Sequence, residues 1–264
     1  MLALIAGNGR LPAALVAELD SAPLICALDG FAPEGLTVDL SFRLEHLGSL
    51  LATLKARGVT DICMAGGVRR PEIDPALIDD ATRPLVPVVT QALAQGDDGA
   101  LRAIIGIFED AGLTVRAAHE IAPGLLMPAG CPTQAQPDEA ARADAARGAD
   151  ILAAMAAADT GQACAVLNGQ ALAIESVYGT DWMLQSLAAR PDGGGGVLVK
   201  GPKPGQDRRA DLPTIGPDTI KAAARAGLRG VVLEAGGVMV LDRLDVIDAC
   251  DRLGLFLWLR EGAG

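Results

Sequence analysis

Short apolar runs and helically spaced apolar positions alternate along almost the whole chain. In the first half, Leu2–Ala6, Pro23–Leu28, Asp61–Ala65 and Leu113–Ala118 read as strands. Between them, Ala13–Leu19, Leu47–Lys55, Pro84–Gln95 and Gly99–Ala111 carry the apolar spacing of helices. Strand and helix in repeated alternation predict an α/β fold with a parallel sheet. The second half begins with an Ala-rich helix over Asp138–Asp159. It continues with strands at Gln162–Leu167, Ala171–Glu175, Val197–Val199, Gly230–Glu234, Val238–Leu241 and Leu255–Leu259. Helices are expected at Trp182–Ala189, Pro217–Ala226 and Arg243–Arg252. Asn168-Gly169 joins the first two of these strands as a hairpin turn, so the second sheet should be mixed.

Between the halves, Pro123 to Pro137 holds four prolines and no regular period, the composition of a domain linker. The expected division is therefore residues 1–130 and 131–264, hinged between about Met127 and Pro137. No internal repeat aligns one half with the other.

Composition narrows the function classes. Hydrophobic residues are 50% of the 264 but aromatics only 3%, so the core should be largely Ala, Leu, Val and Ile. No apolar run reaches the roughly 18 residues of a membrane span, and the N-terminus lacks a signal-peptide pattern. A cytoplasmic protein is expected. A net charge of -11 argues against sequence-independent binding of nucleic acid and against general adhesion to anionic membranes. The five cysteines lie far apart, mostly in apolar runs, which predicts buried free thiols rather than a zinc or redox site.

Three loops hold the candidate chemistry. The first strand runs into Gly7-Asn8-Gly9-Arg10-Leu11-Pro12 and then a helix, a Rossmann-like opening whose backbone N–H groups can meet a phosphate. Leu11-Pro12 stands where the third glycine of a dinucleotide fingerprint would be, so a nicotinamide cofactor is not expected. The strand at Asp61–Ala65 ends in Gly66-Gly67-Val68-Arg69-Arg70-Pro71. In a parallel sheet both glycine loops lie at the carboxyl edge, where ligands bind, and Arg69 and Arg70 suit a phosphate clamp or a solvated loop. Asp98 suits a helix N-cap, Asp97 is placed to reach the same cleft, and His119-Glu120 reads as structural hydrogen bonding.

The third loop follows the buried strand Val197–Val199. Lys200–Gly216 contains two Lys, two Arg, two Asp, one Gln, one Thr, three Pro and three Gly. Such a segment has too little apolar surface to offset its ordering entropy by burial, yet its prolines make it stiff. A stiff, mixed-charge loop leaving a buried strand suits either a solvated surface or a grip on a charged group. Upstream, Thr180 or Asp181 reads locally as the N-cap of the helix at Trp182.

GNGRLP (7–12), GGVRRP (66–71), GDDGALR (96–102), AHE (118–120), Glu175 with Gly179-Thr180-Asp181, and KPGQDRRADLPTIG (203–216) occur in a telling order. In these motifs the chain resembles the LpxI-type UDP-2,3-diacylglucosamine pyrophosphatases over essentially its whole length. The resemblance implies a Rossmann-like N-terminal domain and a C-terminal α/β domain, with the active site in the cleft between them. It implies hydrolysis of UDP-2,3-diacylglucosamine to UMP and 2,3-diacylglucosamine 1-phosphate, with magnesium, in the lipid A biosynthesis of Gram-negative bacteria. It also implies that Asp211, in the Asp-Leu-Pro triplet, is the essential aspartate.

The residue types agree with that chemistry. Pyrophosphate hydrolysis needs an activated water and neutralised charge on the phosphate oxygens. Magnesium takes one or two carboxylates together with substrate phosphate, for which Asp211 leads and Glu175 and Asp181 assist. Lys200 and Lys203 are placed to neutralise phosphate; Gln206 and Thr214 are neutral donors suited to orienting oxygens, and Thr180 and Asp181 are further expected substrate contacts. Gly7, Asn8, Gly9, Leu11, Pro12, Gly67, Arg69 and Pro71 are the expected nucleotide contacts. The expected partner is a glycolipid nucleotide and not nucleic acid, with at most peripheral contact with the inner membrane, and a homodimer is one option. Two other classes fit the same loops: a non-hydrolytic nucleotide-sugar or phospholipid binding protein, and a sugar-nucleotide transferase.

Overall fold

The computed structural model describes residues 1–69, 72–93, 97–203, 207–209 and 212–262. The chain forms two compact units. The first is Met1–Pro123 together with a short piece of the later loop that includes Asp207, Arg208 and Arg209. The second holds the rest, from Gly124 onward.

The first unit runs β1 (Leu2–Ala6), α1 (Leu11–Ala17), β2 (Leu24–Leu28), β3 (Leu40–Phe42), α2 (Leu47–Ala56), β4 (Asp61–Ala65), α3 (Val86–Leu93), α4 (Asp97–Asp110), β5 (Thr114–Arg116) and α5 (Ala118–Ile121). Its five strands are parallel, in the order β3-β2-β1-β4-β5. The chain steps outward from β1 to β3, returns to lay β4 on the other side of β1, and steps outward again. The strand order therefore reverses between β1 and β4, the position at which parallel α/β sheets open a crevice at their carboxyl edge. The central strands are apolar almost throughout because helices cover a parallel sheet. Leu47, Leu50 and Leu54 of α2 and Ile105 and Phe108 of α4 form one buried cluster with Ala3, Ile62 and Val115.

The second unit runs α6 (Glu139–Ala157), β6 (Ala163–Leu167), β7 (Gln170–Ile174), α7 (Gly179–Leu187), β8 (Val197–Lys200), β9 (Thr214–Ile215), α8 (Pro217–Arg225), β10 (Gly230–Glu234), β11 (Met239–Val240), α9 (Arg243–Leu253) and β12 (Phe256–Arg260). The main sheet has the order β12-β10-β8-β6-β7, with β8, β10 and β12 parallel and β6 antiparallel to both its neighbours. The expected hairpin forms at Asn168-Gly169, where both residues take positive φ, 52° and 76°. Asp144 of α6 holds this turn by accepting from the N–H groups of Asn168 (3.1 Å) and Gly169 (2.7 Å).

Several local expectations shift. The strand read as Leu113–Ala118 stops at Arg116 because α5 begins at Ala118, where the Glu120 carboxylate accepts the Ala117 N–H at 2.9 Å. Asp98 falls within the bounds of α4, Asp97–Asp110. The loop after β8 contains β9, a two-residue strand that exists only through pairing with β11. The proline-rich stretch expected to be a linker lies within the second unit beyond Pro123. Gly130 exchanges two backbone hydrogen bonds with Leu259, and the buried Thr133 hydroxyl accepts the Leu257 N–H at 3.0 Å. It covers the outer edge of β12, which would otherwise present unpaired backbone groups. Cys26, Cys63, Cys164 and Cys250 are buried free thiols, and burial pushes the last three up to about 12.

Gly148 marks the closest approach of α6 to the sheet: a Cβ there would stand 2.4 Å from Val199 Cγ2 and 2.8 Å from its Cβ. Ala is favoured over Gly inside a helix by about 1 kcal/mol. Gly148→Ala should nevertheless destabilise the chain by about 1–3 kcal/mol through overpacking, read as a lower unfolding midpoint in urea. A second expectation concerns acid. Glu45 is 3% exposed, and its carboxylate accepts from Arg43 Nη2 and the Asp74 N–H, both at 2.9 Å. The Arg43 guanidinium is the main reason its pKa falls to about 2. The folded value lies below the unfolded one of about 4.3, so Glu45 stabilises fully above that pH. That contribution is lost as pH falls from about 4.3 toward 2. Stability against urea should drop more steeply across this window in the wild type than in Glu45→Gln.

Candidate functional site

At the carboxyl edge of the first sheet the two glycine loops hold each other. The Gly7 N–H donates to the Ala65 carbonyl at 2.8 Å, and Asn8 and Gly67 exchange backbone hydrogen bonds, both 2.9 Å. A Cβ on Gly7 would stand 2.7 Å from the Gly67 carbonyl oxygen, and one on Gly66 would stand 2.7 Å from the Gly7 carbonyl. These two glycines are required by loop-to-loop contact; of the two, Gly7 was also an expected nucleotide contact. Gly9 and Gly67 differ: a Cβ on either would meet nothing within 4 Å, though Gly9 takes a φ of +92°. Pro12 is buried in the first turn of α1, Leu11 is half-buried, and Asn8 and Arg69 are exposed. Arg70 and Pro71 lie outside the described residues.

In the second unit the candidate residues converge on Lys200, the last residue of β8. Its side chain is carried to the carboxyl edge of the parallel strands with only 8% exposure. A buried ammonium is costly unless hydrogen-bonded. Lys200 Nζ donates to Thr180 Oγ1 at 2.8 Å and to the Thr214 carbonyl at 3.2 Å. Since an ammonium only donates, the Thr180 hydroxyl must turn its own proton elsewhere. It donates to Glu175 Oε1 at 2.7 Å, while Glu175 Oε2 accepts the Gln162 N–H at 2.7 Å. Gly161 leaves room for this arrangement, because a Cβ there would stand 2.5 Å from the Glu175 carbonyl oxygen.

Thr180 is therefore not the N-cap of α7. The helix starts at Gly179 after Tyr178, no side chain caps it, and the Thr180 hydroxyl faces inward. Thr214 meets Lys200 through its carbonyl, and its hydroxyl donates to the Leu212 carbonyl at 3.3 Å. Asp181 stays exposed in the first turn of α7. Lys203 forms an ion pair with Asp159. Asp207, in the first unit, accepts from Arg209 Nε at 3.0 Å and Nη2 at 2.7 Å, and this guanidinium holds its carboxyl below the usual carboxylate range. Gln206 and Asp211 lie outside the described residues.

Glu234 is a residue that sequence reading passed over. It closes β10, one position beyond Leu233, which is the register partner of Lys200. A Cβ on Gly237 would stand 2.9 Å from Glu234 Oε1, and one on Gly262 3.3 Å. Gly201 lies alongside, at 3.7 Å by the same measure. The available signal was a carboxylate at the end of an apolar run, directly before Ala235-Gly236-Gly237. Among the described residues, no group of three or more His, Cys, Asp or Glu side chains is arranged to hold a metal ion. What the arrangement offers is a fixed cation and flanking carboxylates at a strand edge, suited to an anionic group.

Two family models cover the chain. Residues 1–125 match the LpxI N-terminal domain and residues 128–258 the LpxI C-terminal domain. The chain is also 37% identical over 268 residues to UDP-2,3-diacylglucosamine pyrophosphatase LpxI of Caulobacter vibrioides, covering 97% of this chain and 96% of that protein.

Thr180→Val should remove one acceptor of the Lys200 ammonium and the hydroxyl donor to Glu175, costing about 1–3 kcal/mol. In a double-mutant cycle with Lys200→Met, measured by urea unfolding, the two positions should couple by roughly 1 kcal/mol or more. Additive losses would separate Thr180 from Lys200 energetically.

Proposed function

The chain belongs to the LpxI family, and from that premise we propose that it hydrolyses the pyrophosphate of UDP-2,3-diacylglucosamine. The products are UMP and 2,3-diacylglucosamine 1-phosphate, and the step serves lipid A biosynthesis. The observation that carries this reading is the match to a pyrophosphatase along nearly the full length of both proteins, 97% and 96%. The chain is thus a hydrolase, and the open matters are how its residues divide the work.

We assign the uridine nucleotide to the first unit, read as a Rossmann-like module, at the carboxyl ends of β1 and β4. The reversal of strand order there, and the open surroundings of Gly9 and Gly67, support it. Asn8, Leu11 and Arg69 are assigned to the same lip, and Pro71 is assigned to nucleotide binding from its motif alone.

We assign the phosphates to the second unit. Lys200 supplies the standing positive charge, because Thr180 and Thr214 fix its ammonium before substrate arrives. Lys203 adds charge only by leaving Asp159. Glu175, with both oxygens accepting from protein donors, orients Thr180 rather than holding a metal. Gln206 and Thr214 are assigned to orienting phosphate oxygens.

Magnesium fits the donor types present. It binds through one or two carboxylates and completes its shell with phosphate and water, so no three-carboxylate cluster is required. Asp211, assigned as the magnesium ligand, would hold it, and the ion would neutralise charge on the phosphate oxygens. Asp211 either carries the metal or aligns water, a task performed chiefly in the transition state.

The first test is product identity, read by mass spectrometry after incubation with UDP-2,3-diacylglucosamine and magnesium. UMP and the lipid 1-phosphate are expected. UDP would mark a transferase, and tight binding without products a sensor. Asp211→Ala should lower kcat by about a hundredfold or more, with substrate affinity largely kept. Asp207→Ala should be milder, since its carboxylate is already engaged by Arg209. Equal losses in the two variants would overturn the assignment of Asp211.

A further inference from the structure

Among the described residues, the large apolar side chains left exposed are scattered over the surface with one exception. Ile174, Val177, Tyr178 and Trp182 fall within a single short segment joining the end of β7 to the start of α7. Their exposures are 45%, 90%, 70% and 51%. The Tyr178 and Trp182 rings lie together one helical turn apart, with centroids 5.3 Å from each other. This chain has one Tyr and two Trp, and its Tyr and one Trp stand together at this exposed point. We propose that this tip is the surface by which the protein rests on a lipid bilayer. The proposal depends on the reading above that the substrate is a diacylated lipid.

Shape separates this occupant from the substrate's own acyl chains. An acyl chain is sheltered by a concave wall, whereas a valine 90% exposed stands on a protrusion. A protrusion of Val, Tyr and Trp matches the membrane interface, where such rings place an apolar body toward the acyl boundary and a polar tip toward the headgroups. Position links it to the chemistry. The inward side of the same segment carries Glu175 and Thr180, the residues that hold Lys200. Docking there would bring the candidate phosphate site to the face from which a lipid substrate leaves its membrane.

Charge fixes the kind of bilayer contact. No Lys or Arg occurs between Arg147 and Arg190, while Glu175 and Asp181 flank the tip and the net charge is -11. The contact is therefore apolar insertion, not attraction to anionic headgroups. It should favour phosphatidylcholine over mixtures rich in phosphatidylglycerol and persist at high salt.

Trp182 reports on it directly. Trp258 is flanked by the guanidinium groups of Arg142 and Arg260, at 4.9 and 5.5 Å from its ring centroid, and Trp258→Phe leaves Trp182 as the single indole. In that background, phosphatidylcholine vesicles should shift Trp182 emission to the blue, at low and high salt alike. In the full chain, Val177→Ser with Tyr178→Ser should weaken co-sedimentation with these vesicles about tenfold or more. An unchanged circular dichroism spectrum and unchanged hydrolysis of detergent-dispersed substrate establish that the variant folds. Equal vesicle binding by variant and wild type would overturn the proposal. So would a dimer in sedimentation velocity that the same substitutions dissociate without any vesicle binding, which would make the tip a self-association surface. Hydrolysis of dispersed substrate with no vesicle contact overturns the surface assignment alone. Vesicle contact through the tip without hydrolysis overturns the pyrophosphatase reading and leaves the surface standing.

Discussion

A buried ammonium organises the second unit. Lys200 ends a strand whose other residues belong wholly to the core, so its side chain cannot reach full hydration without leaving the sheet edge. Its donors must be met by protein, and the partners come from α7 and β9, elements separated from it in sequence. The constraint then propagates. Thr180 must pass its proton to Glu175, Glu175 must sit against Gly161, and the start of α7 is fixed by a buried hydroxyl rather than a cap. A cation held this way needs little reorganisation when an anionic group arrives, which is the arrangement phosphoryl chemistry rewards.

Backbone proximity does comparable work in the first unit. Gly7 and Gly66 let the loops after β1 and β4 touch, carbonyl against Cα, where any side chain would collide. The result joins two strand ends at the reversal of strand order and leaves Gly9 and Gly67 facing open space. Glycines adjacent in one motif thus divide between packing and access. A ligand-centred reading of GNGRLP and GGVRRP treats them as equivalent, and contact geometry separates them.

Polar and apolar extremes share one short stretch between β7 and α7. Within eight residues the chain places a carboxylate and a hydroxyl inward and its most exposed valine, with two aromatic rings, outward. Helical periodicity makes this possible, since positions one turn apart share a face and Thr180 falls opposite them. In a protein whose core is mostly aliphatic, the cost of exposing Val177, Tyr178 and Trp182 to water is one that a covering surface would offset.

The sequence by itself determined the fold class and most of the elements, though not β3, α5 or β9. Apolar runs bounded by glycine, helical spacing and the Asn168-Gly169 turn follow from periodicity and φ preferences, which are local properties. The motif order that marks the family is likewise written in the chain. Tertiary structure decided where each polar group finds its partner. Thr214-Ile215 is a strand only because Met239-Val240 lies beside it, and Thr180 leaves the capping role only because Lys200 needs an acceptor. The proline-rich segment looked like a linker because prolines remove helix and strand signals, yet Gly130 and Thr133 bind the edge of β12. Glu234 gained its place only once β10 lay against β8. Hydrogen bonds and register join residues tens of positions apart, and no local window carries that information.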